Sequence, residues 1–135
     1  MPRRLRIEFE GAIYHVMARG NGRQKIVRDD GDRLRLIDGL GQTVVRHGWE
    51  LLCYVVMGNH LHLVVKTPRA NLSVGMQSFL SGYAIWAGPR WRRTGHLVQG
   101  RYRAEMIEDE SYCPILRSPR RGSSRVRTRN GSSRP

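Results

Sequence analysis

Two histidines one residue apart, His60-Leu61-His62, are the sharpest chemical feature of this 135-residue chain. On an extended backbone, residues i and i+2 project to the same face, roughly 6.6–7 Å apart along the chain. Two imidazoles so placed can converge on one divalent ion, while Leu61 points to the opposite, apolar side. Alternation continues through Leu63 and Val65, so one face reads as core and the other as a site. Taken alone, the pattern fits either a metal site or two histidines in ordinary surface roles. Neutral imidazole is a borderline ligand and Mg²⁺ prefers oxygen, so further oxygen ligands would have to complete a shell.

The elements that must position this pair can be read outward from it. His60 to Lys66 reads as a strand, joined through Gly58-Asn59 to a preceding β-forming run from Trp49 to Met57. Residues 11–19 read as an earlier strand, with Ile13, His15 and Met17 on one face and Tyr14, Val16 and Ala18 on the other. Gly20-Asn21-Gly22-Arg23 is a turn. Asp29-Asp30-Gly31-Asp32 supplies helix-start acids, and Leu34, Ile37, Leu40, Val44 and Val45 follow at helical spacing until Gly48 caps the end. A second helix starts at the N-cap Asn71, carries Met76, Phe79, Leu80, Tyr83, Ile85 and Trp86, and is predicted to stop at Gly88-Pro89. A basic loop from Arg90 to Gly100 leads to a last strand over Tyr102 to Ile107. The order β-α-β-β-α-β predicts an α+β, ferredoxin-like split βαβ sandwich: an antiparallel sheet with helices on one face.

Composition narrows the partner. The formal net charge is +13 and the sequence pI is about 11.3, which favours a polyanion such as nucleic acid. No apolar run is long enough for a membrane span, and the basic start is followed by no signal-type apolar stretch, so no membrane partner is expected. Cys53 and Cys113 have no paired spacing and read as free thiols. Residues 1–112 hold 17 Lys/Arg against 11 Asp/Glu, whereas residues 113–135 hold seven arginines and no acid. That last stretch has no helical or strand period, and reads as a disordered basic Arg/Ser/Pro tail after a domain spanning 1–112.

Three blocks carry a resemblance: Tyr14-His15-Val16-Met17-Ala18-Arg19-Gly20-Asn21, Tyr54 through Val65 around the histidine pair, and Gln99-Gly100-Arg101-Tyr102-Arg103-Ala104. In order and spacing they resemble the REP-associated tyrosine transposases, part of the insertion-sequence-200-like group of HUH single-tyrosine enzymes, over about residues 8–112. The resemblance implies DNA transposition: cleavage and rejoining of single-stranded or hairpin DNA by a tyrosine hydroxyl, with a 5′-phosphotyrosine link and a free 3′-OH. It implies His60 and His62 as ligands of Mg²⁺ or Mn²⁺, homodimers as an assembly, and a bacterial cytoplasmic, nucleoid-associated location. His15, on the neighbouring strand, is an active-site neighbour or a hydrogen-bonded structural histidine.

The sequence departs from the family after Tyr112. The family's nucleophilic tyrosine lies slightly further on, in a stretch resembling Tyr-Ile-x-Leu-Asn-Pro-Val. Here Arg/Ser/Pro text follows instead, of the kind expected when a GC-rich gene is read out of frame. The nucleophile is therefore expected to be missing, with Tyr112 only a weak substitute. DNA-contact candidates are Arg19, Asn21 and Arg23 at a strand end and turn, Arg90, Arg92 and Arg93 in a basic loop with Trp91 as an aromatic platform, and Arg101 and Arg103 flanking Tyr102, since arginine with aromatics suits phosphate pairing and base stacking. A solvated basic face is the alternative for each. Two other functions stay open: a non-catalytic DNA-binding remnant and a basic RNA-binding domain, although no RNP-type aromatic pattern is present. Translating the gene beyond Tyr112 in all frames should reveal Tyr-x-x-x-Asn-Pro text; finding none would remove the frameshift reading.

Overall fold

The computed structural model describes residues 8–92, Leu97, residues 102–108 and the backbone of 127–128. Its elements are β1 (Ala12–Arg19), a 3-10 turn (Asn21–Arg23), α1 (Asp30–His47), β2 (Glu50–Val56), β3 (His60–Thr67), α2 (Leu72–Trp91), β4 (Arg103–Ile107) and β5 (Arg127–Thr128). The sheet order is β4-β1-β3-β2-β5 and every pairing is antiparallel. This is the predicted β-α-β-β-α-β sandwich, with one addition. Arg127–Thr128 lies in the stretch whose composition suggested no element, yet pairs with Cys53 and Tyr54 of β2. Without it β2 would be an open edge, whose unpaired backbone groups accept any extended segment within reach.

Period-two alternation sorts the strands as expected. Tyr14, Val16 and Ala18 of β1 join Leu61, Leu63 and Val65 of β3 in the main core, which both helices cover. Ile13, Cys53 and Val64 form a small second cluster on the opposite face. In β2 the register shifts between Leu51 and Cys53. This bulge lets Leu51, Tyr54 and Val56 all reach the main core although their spacing is not even. Cys53, expected as a free thiol, is instead disulfide-bonded; Cys113 lies outside the described residues.

The helices depart from the sequence reading in three places. In α1 the buried stripe is Asp32, Leu36, Leu40 and Thr43, while Leu34 and Val45 are 67 % and 81 % exposed. Counting apolar residues found Leu40 and the half-buried Ile37 and Val44 but passed over Leu36 and the two polar members, Asp32 and Thr43, which are satisfied internally. Thr43 Oγ1 donates to Gly39 O at 2.9 Å. Asp32 sits at the helix start, where it is held by the opposite helix. In α2 the buried face is Leu72, Gly75, Met76, Phe79, Tyr83 and Ala87, ending at Trp91, and Ile85 is exposed.

Nor does α2 stop at Gly88-Pro89; it continues to Trp91, with Arg92 as a left-handed cap. Proline costs a helix one hydrogen bond and a clash with the preceding turn. Here the turn after Pro89 is tied down from outside. Asp32 accepts Arg90 Nε at 2.8 Å, Trp91 Nε1 at 3.2 Å and the Arg28 backbone N–H at 2.8 Å. Asp29, the N-cap of α1, accepts the Asp32 N–H at 2.9 Å, which holds its carboxyl below the ordinary range. Arg28 lies 4.4 Å over the Trp91 ring, and Arg35 and Arg90 lie 5.4 and 5.0 Å over Trp86. One buried carboxylate thus fastens the start of α1 to the end of α2, and Trp91 is a core residue rather than an open platform for bases.

The other end of the helix layer is tied through Asn71. It occupies the N-cap position of α2 but makes no capping bond with its side chain. Its Oδ1 accepts Trp49 Nε1 at 2.9 Å and its Nδ2 donates to His47 O at 3.0 Å. Glu8 takes over the capping, accepting the Ser73 N–H at 3.2 Å and the Ser73 hydroxyl. Trp49 then lies flat against Gly75: a Cβ there would stand 2.2 Å from Trp49 Cζ2. Helix propensity favours Gly75→Ala by about 1 kcal/mol, but displacing a buried indole costs more. We expect a net loss of about 1–2 kcal/mol, seen as a lower urea midpoint with an unchanged m-value.

Candidate metal and nucleic-acid site

The β1–β3 register builds the site. Arg19 pairs with His60, Met17 with His62 and His15 with Val64. Residues paired across an antiparallel ladder share a face. His60, His62 and His15 therefore lie together on the sheet face away from the helices, with Leu61 and Leu63 buried behind them. The rings of His60 and His62 are 4.9 Å apart and edge-on, and those of His15 and His62 are 5.3 Å apart and stacked. All three histidines are half-buried.

Hydrogen bonds orient these rings. His60 Nδ1 lies 2.8 Å from Asn59 Oδ1, and His62 Nδ1 lies 3.1 Å from His15 Nε2. An amide oxygen only accepts, so His60 carries its proton on Nδ1 and leaves Nε2 with a free lone pair. Burial lowers the pKa of each ring. His62 is pushed down to about 4 by burial and then by His60, His15 and Arg19. His60 is lowered by burial and Arg19; His15 is lowered by burial, against an upward pull from Glu105. At neutral pH the cluster is uncharged imidazole, the form that can ligate a metal. Among the described residues no group of three or more His, Cys, Asp or Glu side chains is arranged to hold an ion. The donor set fits a divalent ion as part of its shell: two imidazole nitrogens on one face, with oxygen ligands still required for the remaining positions.

The turns above the site are fixed by backbone bonds. The β2–β3 turn closes with Met57 N to His60 O at 2.8 Å. Gly58 O accepts Ile26 N at 2.7 Å, and Asn59 O accepts Gly20 N at 2.9 Å. Gly20 is required where it stands, since a Cβ would lie 2.0 Å from Gln24 O. Tyr83, whose phenol burial pushes up, donates to Ile26 O at 2.5 Å and anchors the same segment to α2.

Chain direction puts the basic candidates at this end. The end of β1, the 3-10 turn, the β2–β3 turn, the end of α2 and the start of β4 all lie at one end of the strands, which forms a single rim of the sheet. Arg19, Asn21, Arg23, Arg92 and Arg103 are there and exposed. Arg103 pairs with Met17, one strand away from His62. Arg23 and Arg92 have φ of +66° and +56°. Arg93, Arg101 and Tyr112 lie outside the described residues. Tyr102 packs on the core side and donates to Ser73 Oγ at 3.2 Å. His47 is spent on Thr43 O at 3.0 Å.

Sequence reasoning overlooked two residues here. Asn59 read only as part of a turn, yet it sets the His60 proton; its place directly before a candidate ligand was the available signal. Glu105 pairs with His15, which period two in β4 would have placed on the same face as Arg103. Because the folded state resists protonating these rings, the unfolded chain binds more protons below pH 6.5. Stability should therefore fall as pH drops from about 6.5 toward 4. His62→Gln should flatten that slope relative to wild type, measured by urea midpoints across the window.

No curated protein matches the chain. Among solved structures, it is similar to a REP-associated tyrosine transposase bound to a REP hairpin, with TM-score 0.67 and 15 % identity over 87 % of this chain and 67 % of that one. It is also similar to a candidate transposase from Deinococcus radiodurans R1, with TM-score 0.61 and 18 % identity over 86 % of this chain and 94 % of that one. These likenesses establish the shared fold. The family model described as "Transposase IS200 like" matches residues 8–117, which takes in both histidines, the whole four-stranded core of the sheet and both helices. The chain therefore belongs to the IS200-like transposase family.

Proposed function

We propose that this chain acts on single-stranded or hairpin DNA, of the REP type bound by its structural neighbour, and that its strand cleavage is impaired. The observation that carries the reading is the clustering of three half-buried imidazoles on the sheet face away from the helices, beside a row of exposed basic residues. His60 and His62 would hold Mg²⁺ or Mn²⁺ through their Nε2 atoms. When bound, the ion supplies polarisation of a scissile phosphate. Arg19, paired with His60, and Arg103, paired with Met17, bring positive charge to the phosphates on either side. Asn21, Arg23 and Arg92 extend the contact along the same rim. Arg93 and Arg101 join them on the sequence reading, and a homodimer remains the assembly the family suggests.

The impairment rests on the sequence. The text after Tyr112 lacks the tyrosine-bearing stretch typical of such enzymes. On this reading the chain positions a strand and its ion without the family's attacking hydroxyl, for which Tyr112 is only a weak substitute. Incubating the protein with labelled REP hairpin DNA and Mn²⁺ separates the cases. A shifted band without covalent product supports the proposal. A covalent protein–DNA band would overturn the impairment and leave the transposase; tighter binding of unrelated RNA would overturn both. Arg19→Ala and Arg103→Ala should each weaken hairpin binding and lower the slope of log K against log salt by about 1.

A further inference from the structure

His15 makes no contact that the metal reading needs, yet it is the partner of His62 at 3.1 Å. The direction of that bond decides what His62 can do. If His15 Nε2–H donates, His62 accepts on Nδ1 and, being neutral, carries its proton on Nε2, where an ion would bind. If His62 Nδ1–H donates, Nε2 is free. Only the second direction makes His62 a ligand, and it requires His15 to keep its own proton on Nδ1. Glu105 lies opposite His15 in the β1–β4 register, and residues paired across a ladder share a face. A carboxylate on that face is within a side chain's reach of His15, and one that accepts from the ring would hold the proton on the nitrogen turned away from His62.

We infer that Glu105 and His15 form a relay that sets the tautomer of His62, leaving its Nε2 free for a divalent cation. His15 is thus a positioning residue, acting through His62 as carboxylates act through ligating histidines in other metal sites. His60 has an equivalent partner in Asn59. The two rings of the pair are prepared by different means: one by an adjacent amide in a turn, the other by a side chain on a neighbouring strand.

The inference rests on the metal reading above, and its test separates the two. ¹⁵N-histidine NMR of the full chain without metal should show His62 protonated on Nδ1, and Mn²⁺ titration followed by electron paramagnetic resonance gives the affinity. His15→Phe keeps a planar ring but removes the acceptor. It should return His62 to mixed tautomers and weaken Mn²⁺ binding about 10–100-fold. His15→Gln, whose amide oxygen can accept the same bond, should restore both. Glu105→Gln should shift the tautomer in the same direction as His15→Phe, by less. Mn²⁺ binding and tautomer left unchanged by His15→Phe would overturn the relay alone. No Mn²⁺ binding by the wild type would overturn the metal reading and the relay with it.

Discussion

The antiparallel ladder between β1 and β3 governs both halves of this molecule. One register sets Val16 against Leu63 inside the core and Met17 against His62 on the opposite face. Side chains alternate with a period of two, so a slip by one residue would expose the core and bury the imidazoles together. The site cannot move independently of the fold. Leu61 and Leu63, almost wholly buried, hold the stretch of backbone from which His60 and His62 project.

Strand chemistry was therefore the most legible part of the sequence. Alternation in 11–19 and 60–66 named the faces correctly, and the strand order of the expected fold set His15 on the strand next to the pair. Helix chemistry was harder to read. The α1 stripe runs through Asp32 and Thr43, whose burial depends on partners 58 and 59 residues away in α2 or on a carbonyl one turn back. Pro89 reads locally as a stop, but the bonds of Arg90 and Trp91 to Asp32 hold the last turn in place. Long-range polar contacts leave no periodic trace, and that is where local reading failed. Asn71 shows the same limit: its position was right and its role was not, because its amide serves Trp49 and His47.

The site itself divides along the same line. The ligand candidates were visible as a spacing, since two residues on one strand need no knowledge of the fold. Their partners were visible only in part. Asn59 was in plain view as a turn residue, and Glu105 lies 90 positions from the histidine it faces. The convergence of Arg19, Arg23, Arg92 and Arg103 on one rim follows from chain direction, and needed the sheet order to be seen.

The knot around Asp32 has a consequence for how the chain meets a polyanion. Arg28, Arg35 and Arg90 are laid over indole rings or paired with carboxylates in the helix layer, and Arg33 donates to Val56 O at 2.6 Å. These guanidinium groups stiffen the scaffold on the side away from the imidazoles. A nucleic acid lying across the imidazole face would displace counterions mainly through the cations at its rim. Among the described residues, the ionic-strength sensitivity of docking on this face should thus report the exposed cations beside the imidazoles and not the guanidinium groups spent in the helix layer.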